Sequence, residues 1–74
     1  MTSYTLPGYH TRGRAERIKK ILQGHTYMSF IVEYGGVADN IEIVIMTKRE
    51  DTTEKELMEM VLFYLLAEVS KYNL

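Results

Sequence analysis

Seventy-four residues, 46% of them hydrophobic and 26% charged, set the bounds of one small globular domain. A chain of that length buries only about 60% of the surface it exposes when unfolded. It contains no cysteine, which excludes disulfides and thiolate metal sites and leaves oligomerisation as the common remedy for a small core.

The net charge of −1 hides a dipole along the chain. Residues 1–25 carry Arg12, Arg14, Arg17, Lys19 and Lys20 against Glu16 alone, whereas residues 26–74 carry four cations against nine carboxylates. Such asymmetry suits an anionic partner at the basic end, or attraction between the two halves within or between subunits. Residues 1–8 have neither a basic leader nor an apolar run, and the lack of cysteine fits a reducing compartment, so the expected location is cytoplasmic.

In chain order, residues 1–10 contain the only proline, in Leu6-Pro7-Gly8, and read as an extended arm followed by a turn. Tyr4 and Leu6 alternate with polar neighbours, which lets the arm serve as a third, short N-terminal strand. Over residues 12–23, Ala15, Ile18, Ile21 and Leu22 gather on one side of a helix, with Gly24 placed as its C′ residue.

Residues 26–34 and 41–47 are rich in β-branched and aromatic side chains and are joined by a turn-prone segment that begins Gly35-Gly36. They read as an antiparallel hairpin. Pairing Tyr34 with Ile41, Val32 with Ile43, Phe30 with Ile45 and Met28 with Thr47 collects a nearly pure apolar face. On the other face that register sets Glu33 against Glu42 around an apolar centre. Gly35-Gly36 is not a phosphate loop, because it leads into a strand rather than a helix N-terminus.

Two overlapping capping boxes, Asp51 to Glu54 and Thr53 to Glu56, open a long helix over residues 53–72. Within its positions 57–69 only Glu59 and Glu68 are not apolar. On a wheel of about 100° per residue, Leu57, Val61, Tyr64 and Glu68 form one stripe and Met58, Leu62 and Leu65 a neighbouring one. Phe63 and Leu66 fall beside Glu59, on the side that should be wet. A helix apolar all round must be covered all round. The run is too short and too acidic to span a membrane, which takes about 20 apolar residues, and no membrane partner is expected.

The expected fold is therefore α+β in the order αββα: an antiparallel hairpin packed by two helices, dimeric because a lone hairpin is marginal. Glu59, Leu62, Phe63 and Leu66 are the expected partner or oligomer interface. Helix-to-helix packing through these residues is preferred to pairing of sheet edges.

No catalytic set is expected. Ser3, Ser29 and Ser70 sit in no glycine-rich elbow, His10 and His25 match no helical metal pair and read as solvent-facing or capping residues, and no cofactor or metal is implied. Glu33 opposite Glu42 invites a divalent ion or an arginine, although at a wet hairpin end their repulsion is screened. Arg12, Arg14, Arg17, Lys19 and Lys20, with Tyr4, Tyr9 and Tyr27 nearby, combine charge with aromatic surface. They suit an acidic protein, a nucleic acid, or a face that is merely solvated.

The functional expectation is a small non-enzymatic protein-binding module, a homodimer, acting as a stoichiometric inhibitor of a larger protein. Inhibitors of host nucleic-acid enzymes encoded by phages or mobile elements have these proportions, by analogy of size only. The alternative is a small DNA- or RNA-binding regulator that uses the basic helix.

Overall fold

The structure is a computed structural model that describes residues 2–25, 27–37 and 39–72, with backbone alone over 69–72. It is a small α+β fold with the elements β1 (Ser3–His10), α1 (Arg12–Gln23), β2 (Phe30–Val37), β3 (Asn40–Thr47) and α2 (Glu54–Tyr72). The order is βαββα: the N-terminal arm, expected at most as a third, short strand ahead of αββα, is a strand of eight residues. The three strands form one antiparallel sheet in the order β1-β3-β2. Since β3 lies between and antiparallel to the other two, β1 and β2 are parallel to each other, and β1-α1-β2 is a split βαβ unit.

β1 tolerates its proline because it is an edge strand, where a missing N–H costs no ladder bond. Leu6 pairs with Ile43 and His10 with Ile41, so three residues of β1 stand against Glu42 alone. Gly8 at φ +89° takes up the resulting bulge. A Pro-Gly pair that reads as a turn is here a kink within a strand.

The β2–β3 register differs from expectation by two positions: Phe30 pairs with Thr47, Val32 with Ile45, Tyr34 with Ile43 and Gly36 with Ile41. The hairpin thus closes on Val37 opposite Asn40, with Gly35 and Gly36 inside the strand. Gly36 is the residue that permits this. Its φ is +82°, and a Cβ there would lie 2.3 Å from the Asn40 carbonyl oxygen. A slip of two leaves every side chain on its own face, so the apolar face survives, but Glu33 now opposes Val44 and Glu42 opposes Gly35. The expected Glu33–Glu42 pair does not form.

β2 also starts later than expected, at Phe30, after a turn that includes Tyr27, Met28 and Ser29, with Ser29 at φ +49°. Met28 is buried from that turn, where its carbonyl accepts the Thr47 hydroxyl.

Both helices begin at threonines. Thr11 Oγ1 accepts the Arg14 N–H at 3.3 Å, and Thr53 Oγ1 accepts the Glu56 N–H at 3.1 Å while donating to Glu56 Oε1 at 3.0 Å. The second of the two overlapping boxes is the one used. Asp51 instead faces Arg49 across 3.8 Å. Gly24 caps α1 from the right-handed region, at φ −73°, with its N–H on the Lys20 carbonyl. It does not take the left-handed form expected of a C′ glycine.

Leu6, Ala15, Leu22, Met28, Phe30, Val32, Ile41, Ile43, Ile45, Leu57 and Val61 form the core, between one face of the sheet and the two helices. Ile43 and Ile45 on the central strand are fully buried, as are Leu57 and Val61 on α2. The Cα extents of 34 × 33 × 18 Å fit a two-layer slab. The outer sheet face is left to solvent, and Ile31, Val44 and Met46 lie half-buried at its centre.

Candidate protein-interaction site

α2 sorts its side chains by wheel position. Leu57 and Val61 point into the core, and Met58, Met60, Tyr64 and Leu65 are half-buried at its flanks. Glu59, Leu62, Phe63 and Leu66 make an exposed i, i+3, i+4, i+7 stripe. Within it Leu62 is 39%, Phe63 62% and Leu66 67% exposed, a surface that water does not favour and that α1 and the sheet do not reach.

Tyr64 anchors the stripe to the fold. Its ring stacks on His25, with centroids 3.9 Å and planes 18° apart, and meets Phe30 and Phe63 edge to face at 5.9 and 5.6 Å. Phe63 is therefore held by a continuous aromatic run that begins at Phe30 in the core.

The five cations of α1 are divided by the helix. Arg12, Glu16, Lys19 and Gln23 form one stripe, from which Arg17 and Arg14 lie roughly 140–200° around the axis. The Lys19 ammonium sits over the Tyr34 ring, 5.2 Å from its centroid, and the Tyr34 hydroxyl donates to the Ala15 carbonyl at 3.0 Å. Burial, with help from Glu16, pushes the Tyr34 hydroxyl pKa above its ordinary value, and Arg12 opposes the shift. The Arg12–Lys19 stripe thus overlies β2, the outermost strand on its side. Glu16, Arg17, Lys19, Lys20 and Gln23 line an open groove along the helix. Arg12, Arg14, Arg17 and Lys20 are exposed and Lys19 is half-buried.

Both histidines are half-buried. His25 is stacked on Tyr64, and both ring nitrogens of His10 are shielded from water with no hydrogen-bond partner among the described residues. No group of three or more His, Asp or Glu side chains among the described residues is arranged to hold a metal ion, and no described helix is long and apolar enough to cross a membrane.

Tyr34 and Arg49 are features that sequence reading missed. Arg49 lies over the Tyr27 ring at 4.5 Å, and Tyr27 is 69% exposed. Neither pairing leaves a mark in the sequence, because each joins residues fifteen or more positions apart. Comparison with protein-family models, with curated proteins and with solved structures gives no match.

Proposed function

We propose that this chain is a small non-enzymatic protein-binding module that pairs with a second copy of itself through α2. The observation that carries this reading is the exposed Glu59–Leu62–Phe63–Leu66 stripe, three of whose four members are large and apolar. A monomer with a core this small gains most by covering such a stripe. Glu59 at its margin keeps the surface soluble before association. A stoichiometric inhibitor of a larger protein is the role that suits a module of this size.

A second reading, a small regulator of DNA or RNA, draws on the exposed cations of α1. Their dispersal around the helix and the presence of Glu16 among them favour it less, since phosphate tracking wants a continuous basic surface. The test is a pull-down from the source cell with the parent, Phe63→Glu and Lys19→Glu. A protein partner lost with Phe63→Glu supports the module. Recovery of nucleic acid with a steep salt dependence, lost with Lys19→Glu, would support the regulator instead.

A further inference from the structure

We propose that the free edge of β2 takes up an acidic, extended segment of a partner protein as a fourth strand, with Arg12 and Lys19 reading its carboxylates. The inference rests on the reading of the chain as a protein-binding module but not on the α2 stripe.

The two edges of the sheet are not alike. β1 carries Pro7, which has no N–H, and a bulge at Gly8 that breaks its register between Leu6 and His10. These are the devices by which proteins spoil an edge for pairing. β2 has neither. It runs eight residues in unbroken register with β3, contains no proline and no lysine, and pairs on one side only among the described residues. Its residues Glu33 to Val37 are all exposed, Val37 at 74%. Alternate residues of such a strand direct N–H and C=O outward, which is the template that strand addition uses.

Charge selects the occupant. Lys19 is placed over Tyr34 of β2, and Arg12 shares its stripe of α1 with Glu16 between them, so the stripe is net positive by one charge. A strand laid beside β2 would carry alternate side chains under these two cations and the others on the outer face beside half-buried Ile31 and exposed Glu33, where uncharged side chains avoid the Glu33 carboxylate. A segment that alternates acidic and β-branched residues fits both sides. A second copy joined β2 to β2 would bring together two stripes that each stay net positive by one after Glu16 is counted, and would also bring the two Glu33 carboxylates onto one face, so like charges oppose that pairing.

The experiment is an amide NMR titration of the whole chain with acetyl-EVEIEVE-amide, with acetyl-KVKIKVK-amide and with a single-stranded DNA oligonucleotide. The acidic peptide is expected to shift and slow the exchange of amides within Phe30–Val37, and to bind about tenfold or more tightly than the lysine peptide. Arg12→Glu with Lys19→Glu, folded by its own amide spectrum, should lose that preference. Phe63→Glu should bind the acidic peptide at parental strength, which keeps this surface separate from the α2 interface. Unprotected β2 amides, equal binding of both peptides, or loss of binding in Phe63→Glu would each overturn the proposal. Binding of the oligonucleotide alone, or β2 amides already protected in a self-associated parent, would overturn it too.

Discussion

The Tyr34 hydroxyl donates a 3.0 Å hydrogen bond to the Ala15 carbonyl, and the fully buried Ala15 thereby ties the N-terminal third of α1 to the edge strand β2. A helix carbonyl already engaged in its own ladder accepts this second donor with its other lone pair. Tyr34→Phe removes the donor while keeping the ring under Lys19. The expected cost is about 1 kcal/mol in chemical denaturation, with the cation–ring contact intact.

The same hydroxyl gives a signature in pH. Burial, with Glu16 next, raises its pKa above the unfolded value of 10.0. The folded state therefore favours the protonated phenol. The associated stability is complete below pH 10 and is lost as pH rises from there through the higher folded value. Stability of the parent minus that of Tyr34→Phe should be flat below pH 10 and shrink as pH rises through the window between the unfolded and the raised folded value. A difference that grew with alkalinity would contradict the assignment.

Gly36 and Gly35 are adjacent but unequal. At Gly36 the backbone is left-handed and a Cβ would press on the Asn40 carbonyl at 2.3 Å, whereas at Gly35 the nearest atom would be Glu42 Cβ at 4.0 Å. Gly36→Ala should cost about 1–3 kcal/mol. Gly35→Ala should change stability by about 0.5 kcal/mol or less. Denaturation midpoints of the two variants decide the matter.

The strand register is open to a covalent test. Glu33 stands directly opposite Val44, so Glu33→Cys with Val44→Cys should oxidise to a disulfide within one chain. Glu33→Cys with Glu42→Cys should not, since diagonal neighbours are about 7–8 Å apart.

The side-chain pattern of a strand has a period of two, so pairing Val32 with Ile43 or with Ile45 gives the same apolar face. Only the turn separates the two solutions, and the turn depends on the φ of Gly36. The eight-residue β1 was obscured for a related reason: Pro7-Gly8 is turn chemistry, and its tolerance in a strand follows from β1 being at the edge, a tertiary fact. α1 and α2 were legible because the capping box at Thr53 and the 3.6-residue period of Ala15–Leu22 and Leu57–Val61 are local signals. The exposure of Phe63 and Leu66 was legible from the same period. The tie from Tyr34 to Ala15 was not, because a backbone carbonyl carries no sequence signature.

The faces of α2 should respond oppositely to truncation. Leu57 is fully buried, and Leu57→Ala should cost about 2–5 kcal/mol. Phe63 is 62% exposed and keeps an edge-to-face contact with Tyr64, so Phe63→Ala, measured at high dilution, should cost about 1 kcal/mol or less.

Sedimentation equilibrium of the parent and of Phe63→Glu, over concentrations from nanomolar to high micromolar, tests the pairing of α2 helices most directly. The parent should pass from monomer to dimer and go no further, while Phe63→Glu should remain a monomer with an unchanged circular dichroism spectrum. A parent that stays monomeric at high micromolar concentration would contradict the pairing, as would a dimer that Phe63→Glu leaves intact.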